Sequence, residues 1–388
     1  MYTERTMKVF SRLSPVYGVS FGSVRTVICD GEGMLLLDEA TCVTKHQHTG
    51  QYMVLGNDAR QLDGRVPNEV ELIWPVRRDS VVQSEEAFFL LSHWMESLQK
   101  KTFLGMIPPK CVISLSSDAT EVHRRTVRRL FEKVGVQKVL LVEKCMAALA
   151  GARGYADDGV MKDLAECKRA LQAKTAQMIV LLGYDTLDIA VFSAGNTLVS
   201  ETVPFGTQQY LHAVQHFFSV KHDVLIGTAS AEHVLAELGS AAPFDNDSGL
   251  TMVVRGKHRT TGMPFSVRVR SEDLREVLIP TAQEIVKRIR TILKKCPVGI
   301  SAEIQSAGLL FCDDEIHVRE IETYIADQLN IPVVSFGDTA AKSSAVGADT
   351  VRGAVSSKNT APAAALIAKG CSVLSKLASK GFHFGVLT

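Results

Sequence analysis

The sequence predicts an α/β fold made of two halves of similar layout. Three observations lead there. Strand-like and helix-like segments alternate along all 388 residues, the pattern of an α/β protein. A strand, a glycine turn and a second strand occur around Gly22 and again around Gly183. Between them, the stretch 157–175 is charged and helix-prone and separates two strongly apolar regions.

In chain order, Val16–Phe21 and Val24–Cys29 are alternating or apolar runs flanking Gly22-Ser23, a hairpin signal. Ser84-Glu85-Glu86 opens a helix with Phe88, Leu91, Trp94, Met95 and Leu98 on one face. Cys111–Leu115 reads as a buried strand, Thr120–Val134 as an arginine-rich helix, Lys138–Val142 as a strand and Cys145–Ala150 as a helix of small residues. The layout then restarts with strands Met178–Leu182 and Asp188–Phe192 around a Gly183-Tyr184-Asp185-Thr186 turn. Gln209–Phe218 and Ala231–Leu238 read as helices, and Asp273–Lys295 as a long one ended by Pro297. Gly308–Phe311 and Pro332–Val334 are the last strands. The segment 363–380 is basic and amphipathic, with Leu366, Val373, Leu374 and Leu377 set against Lys369, Lys376 and Lys380.

Composition sets further bounds. The chain is long enough for two domains with buried cores. A net charge of +1 gives no field that would recruit nucleic acid. The eight cysteines form no C-x-x-C pair, and several lie in apolar runs, so buried thiols in a reducing compartment are expected. No apolar run reaches the ~20 residues of a membrane span, and no leader is visible, so a cytoplasmic protein is expected. His46, His48 and the other histidines do not make a metal set.

Three turns carry the functional content: Val19–Ser23, Leu181–Thr186 and Gly308–Glu315. They and several shorter blocks resemble the MreB family of bacterial actin-like cell-shape proteins, of the actin/Hsp70/sugar-kinase fold. The likeness runs from about residue 7 to about residue 350. Leu62–Pro67 resembles the family's L-G-R-T-P, Thr120–Arg125 its T-x-V-E-R-R, and Met146-Ala147-Ala148 its M-A-A-A. Ile226–Ala241 resembles I-G-x-x-T-A-E…I-G-S-A, and Val254-Arg255-Gly256 with Thr261–Pro264 resembles V-R-G…T-G-x-P. The resemblance implies an actin-like, ribonuclease-H-like duplicated fold of two halves around a cleft. The expected halves are 1–155 with 325–388, and 156–324.

An actin-like ATPase holds phosphates on backbone amides of its turns. It orients hydrated magnesium with carboxylates and positions water with a polar group. Set against the family's D-L-G-T, the first turn has Ser20 for the aspartate and keeps Gly22 and Ser23. Against D-I-G-G-G-T, the second has Leu181 for the aspartate and Tyr184 and Asp185 for two glycines, while Gly183 and Thr186 remain. The water-positioning glutamate falls on Lys144, with Glu143 one place earlier. The nucleoside loop T-G-G-G becomes Cys312-Asp313-Asp314-Glu315. There, carboxylates either repel a nucleotide, at on the order of 4 kcal/mol per close charge pair, or cap the next helix. Gly206 is what remains of a G-G-D turn, and Glu232 matches the ribose-side glutamate.

The residual nucleotide-pocket matches are therefore Gly22, Ser23, Gly183, Thr186, Gly206 and Glu232. No catalytic or metal-binding residue is expected, and no cofactor, unless ATP with or without magnesium still uses the site. The implied function is a non-hydrolysing cytoskeletal filament or scaffold in cell-shape control and wall synthesis. It would self-associate or co-assemble with an MreB, act with cell-shape membrane proteins, and lie peripherally at the inner membrane. Residues 5–13 are one candidate anchor and 363–380 a second. Two alternatives stand beside it: a diverged but active ATP-dependent polymer, and a monomeric actin-fold adaptor at the membrane. The new cations Arg25 and Lys144 are expected to pair with the new acids Asp185 or Asp313.

Overall fold

The computed structural model describes residues 14–101, 107–155, 162–244, 249–313, 316–335 and 363–380. The N-terminal anchor candidate at 5–13, and Asp314 and Glu315 of the third turn, lie outside these. The chain forms two compact units.

The first unit is built on a five-stranded sheet of β1 (Val16–Phe21), β2 (Arg25–Cys29), β3 (Leu35–Ala40), β9 (Lys110–Leu115) and β10 (Lys138–Glu143), in the order β10-β9-β1-β2-β3. β1 is antiparallel to β2 and parallel to β9. β4 (Val43–His46), β5 (Tyr52–Leu55) and β6 (Val70–Ile73) make a small second sheet beside helix α1 (Gly56–Arg60), and β7 (Val76–Arg77) and β8 (Ser80–Val81) a separate hairpin. On one face of the large sheet, Tyr17, Val19, Phe21, Ile113 and Leu115 pack with α2 (Ser84–Lys101) and α3 (Glu121–Lys133) through Leu91, Trp94, Val127 and Phe131. The alternation along β1 explains this: odd positions enter that core, and even positions face the other way.

The other face takes α4 (Lys144–Gly154), α5 (Leu164–Leu171) and α11 (Ala363–Ser379). Helix α11 corrects the reading of 363–380 as a membrane anchor. Leu366, Cys371, Val373, Leu374 and Leu377 are buried, and Ala364 and Ala368 pack on Val27 and Cys29 of the sheet. Its approach is backbone-close: a Cβ at Gly370 would lie 1.6 Å from the Ala147 carbonyl oxygen, and one at Gly18 would lie 2.1 Å from that of Ala368. Each large apolar side chain so buried contributes roughly 1.5–3 kcal/mol, so the apolar face is consumed by the core. The lysines complete the fit: Lys376 pairs with Glu32 at 2.7 Å and Lys369 lies over the Tyr155 ring.

The second unit repeats the plan. β11 (Gln177–Leu182), β12 (Leu187–Ser193), β13 (Asn196–Val203), β17 (Leu309–Asp313) and β18 (Val333–Ser335) run in the order β13-β12-β11-β17-β18, with β11 antiparallel to β12 and parallel to β17. Strand for strand this is the topology of the first sheet, so the duplication seen in the sequence is structural. Around it lie α6 (Thr207–Lys221), α7 (Thr228–Leu238), α8 (Ser271–Lys295), α9 (Val298–Ala307) and α10 (Ile321–Leu329). A three-stranded sheet, β14 (Val224–Leu225), β15 (Thr251–His258) and β16 (Pro264–Arg270), completes the unit.

The unit boundaries fall near 173/174 and 363/364 rather than at 155/156 and 324/325. Residues 164–171 of the charged stretch form α5, which belongs to the first unit: Cys167 and Leu171 are buried, and the Cys167 thiol faces the Gly154 carbonyl at the end of α4. At the other boundary β18 pairs with β17, and Ser335 bonds Glu322 of α10, which keeps both elements in the second unit. All eight cysteines are buried and form no disulfide. Among the described residues no helix is long and apolar enough to cross a membrane.

Candidate functional site: two glycine turns and their fillers

The two sequence-predicted turns close identically. Gly22 N–H donates to the Arg25 carbonyl at 3.0 Å, and Gly183 N–H to that of Thr186 at 2.9 Å. Each bridges four residues between paired strand ends, Phe21 with Thr26 and Leu182 with Leu187. A Cβ at Gly22 would stand 3.0 Å from the Arg25 carbonyl oxygen and one at Gly183 3.2 Å from that of Thr186, tight enough to favour glycine in both. Ser23 and Thr186 are buried.

Gly206 joins the second turn. The Thr207 and Gln208 amides at the start of α6 donate to the carbonyls of Gly183 and Tyr184, at 2.9 and 2.8 Å. Gly206 N–H is taken by Gln209 Oε1 at 2.7 Å. A Cβ at Gly206 would meet the Tyr184 carbonyl oxygen at 2.4 Å. Helix N-termini have amides with no partner inside the helix, and these often hold anions. Here the turn's own carbonyls occupy them. The structure thus brings Gly183, Thr186 and Gly206 together, while Glu232 lies half-buried on α7.

One residue escaped sequence reading. Leu181 of the second turn pairs across the sheet with Asp188, so both side chains share a face. Asp188 is buried and accepts hydrogen bonds from Thr186 Oγ1 at 3.2 Å and Thr202 Oγ1 at 2.5 Å. Its signal was present: a single carboxylate in the apolar run Leu187–Phe192.

Within the first unit each cation has an acidic partner the sequence did not point to. Arg25 forks onto Asp38 of the neighbouring strand. Lys144 opens α4, where a positive charge opposes the helix dipole. Its ammonium donates to Asp79, whose same oxygen also accepts from the Ser116 hydroxyl. Both ends of the pair are largely buried, with side chains 12% and 8% exposed. Asp79 reaches Lys144 from the β7–β8 turn, where Arg78 and Asp79 have φ of 48° and 56°. Two successive left-handed residues favour Asn-Gly, so the strain of Arg-Asp is held in place by the ion pair and the hydroxyl.

Asp313, at the end of β17, neither caps a helix nor stays bare. Its carboxylate meets His317 Nδ1 at 2.5 Å. His317 Nε2 lies 4.0 Å from Glu322, which accepts from the Ser335 hydroxyl at 2.6 Å. Burial alone would pull His317 down. The hydrogen bond and charge of Asp313, with Glu322 and Glu320, outweigh it, and its pKa rises to about 9. Burial also pushes the Glu322 carboxyl up.

The chain is similar to known proteins. The MreB/Mbl protein family profile matches residues 14–360. The chain is 25% identical over 318 residues to the cell shape-determining protein Mbl of Bacillus cereus, covering 82% of this chain and 90% of that protein. It is 25% identical over 320 residues to the cell shape-determining protein MreB of Escherichia coli, covering 81% and 87%. In fold it is similar to MreB 5 of Spiroplasma citri, crystallised with AMPPNP: TM-score 0.79, 18% identity, 95% of this chain and 97% of that one. The MamK double helical filament matches with a TM-score of 0.66 at 15% identity, over 94% and 99%. The fold is actin-like, as the sequence led one to expect, and the chain belongs to the MreB/Mbl family.

Proposed function

We propose that this chain is an MreB-like cytoskeletal protein of cell-shape control that assembles into filaments without turning over ATP. The names of its relatives and the filament formed by MamK support the cytoskeletal part. The observation that carries the second part is the buried pair at Lys144. Where the family places a glutamate to orient water, this chain has an ammonium tied to Asp79 and Ser116. A hydrogen-bond donor of that kind cannot accept a proton from water. Leu181 and the filled N-terminus of α6 act in the same direction. The assembled protein is read as peripheral to the inner membrane, alone or with a separate MreB.

Sedimentation and phosphate release test this together. Polymer should pellet equally with ATP, with AMPPNP and with no nucleotide, and phosphate should stay at the blank. Magnesium-dependent phosphate release coupled to assembly would sink the reading. A chain that never pellets would favour the adaptor.

Asp188 supports a second reading, a diverged ATP-binding polymer, because it keeps a buried carboxylate opposite the lost one. Calorimetric titration with ATP and magnesium decides: binding that Asp188→Asn weakens tenfold or more would favour this reading, and no heat would end it.

A further inference from the structure

Helix α6 carries a row of polar side chains that the glycine-turn site does not use. Tyr210, Leu211, Val214, Phe217 and Phe218 form its core stripe and are buried. That leaves Gln208, His212 and His216 in one line along the outer side, each about one turn from the next. Both histidines are exposed. The stretch reads His212-Ala213-Val214-Gln215-His216. Residues four apart on a helix hold their Cβ atoms about 5–6 Å apart on one face. Two imidazoles so placed can each bring a nitrogen to about 2.0–2.1 Å from a shared ion. The histidines of an H-E-x-x-H helix hold zinc at this spacing. Ala213 stands where that motif has its glutamate, so the general base of that chemistry is missing and only the ligand pair remains.

The two rings are available for a ligand. Among the described residues His216 has no partner and His212 has only Gln208. Gln208 Nε2 donates to His212 Nε2 at 3.4 Å. An amide nitrogen only donates, so that ring nitrogen presents a lone pair, the state that ligates a metal. The ordinary uses of a surface histidine do not account for the pair. No carboxylate meets either ring, and both lie before the last turn, where a cation would serve the helix dipole. That place is taken by Lys221, which pairs with Asp273 at 2.9 Å and is the only other charged side chain of α6.

We propose that His212 and His216 together bind one divalent late-transition-metal ion, of the zinc, nickel or copper class, on the surface of α6. Imidazole suits these ions, whereas magnesium and calcium take oxygen donors. Among the described residues no group of three or more His, Cys, Asp or Glu gathers to hold a metal, so solvent completes the shell and the ion is exchangeable. The site is independent of the filament reading and of any nucleotide. Its position gives it a structural consequence. One turn before His212, the Gln208 amide holds the Tyr184 carbonyl at 2.8 Å, so an ion across His212 and His216 braces the helix that closes the second glycine turn.

Calorimetric titration of the full chain with zinc chloride, nickel chloride and magnesium chloride tests it. Zinc and nickel should each bind with one equivalent that magnesium does not reproduce. His212→Asn and His216→Asn should each weaken that equivalent tenfold or more, and the double variant should lose it. His233→Asn, at an exposed histidine on α7, should leave it unchanged. All three positions are exposed, and unchanged melting curves without metal confirm folding. Saturating zinc should raise the melting temperature of the wild type and not that of the double variant. An equivalent retained in the double variant, equal loss in His233→Asn, dependence on only one of the two histidines, or magnesium binding in place of zinc would each overturn the proposal.

Discussion

Each unit of the molecule holds a largely buried charge at the end of a sheet strand, and the two neutralise it differently. In the first unit Lys144 is met by Asp79, brought in by a strained hairpin 65 residues away. In the second, Asp313 is met by His317, four residues further along the chain. Both charges acquired partners from within their own unit, which is what burial demands of an ion. The first partnership joins a lysine to an aspartate distant in sequence and depends on tertiary structure. The second is local and depends on histidine, the side chain whose charge changes near neutrality.

The contrast has measurable consequences. The largest is at the first pair: Lys144→Met leaves Asp79 buried in a turn it fits poorly, and should cost about 3–5 kcal/mol in urea unfolding. Adding Asp79→Gly should recover most of that, since it removes the orphan carboxylate and suits the left-handed turn. A double variant as weak as the single one would break the comparison. Next is His317→Gln, expected to cost on the order of 2–3 kcal/mol at pH 7.

The pH profile sharpens this second case. The folded pKa of His317, about 9, lies above the ordinary 6.5, so its stabilisation is complete below pH 6.5 and is lost as pH rises through 9. The wild type should therefore weaken between pH 6.5 and 9, and His317→Gln should lose that slope while Lys144→Met keeps it. The smallest effect belongs to the Arg25–Asp38 fork, whose side chains are 23% and 27% exposed. Arg25→Gln should change stability by about 1 kcal/mol or less, and a loss comparable to Lys144→Met would show that burial is not what separates these pairs.

The sequence made much of this visible. Gly22 and Gly183 announced their turns because close carbonyls leave no room for a Cβ, and alternating apolar strands placed them correctly. The partner of Lys144 was hidden because Asp79 lies far away in sequence and in a turn whose Arg-Asp composition argues against the conformation it adopts. Asp188 was passed over as part of an apolar strand. The last helix misled for a different reason. Its leucine and lysine pattern resembles a surface amphipath, but the decisive residues are Gly370, Gly151 and Gly18, which read as incidental until the helices are seen touching backbone to backbone. Asp313 and His317 stand four apart, a spacing that could have been read as a pair had the loop been considered alone.

The position of that last helix also bears on how the protein is made. A chain leaving the ribosome N-terminus first presents β1, β2 and α4 early, but the apolar surface over Gly18, Val27 and Cys29 stays uncovered until residues 363–379 emerge. The second unit lies wholly between these events and has its own core, so it is complete before the first can close. Domains generally fold as units during synthesis, so the second unit is expected to fold before the first, the reverse of the order of translation. The first half waits, with a sticky face open, for the final helix to arrive.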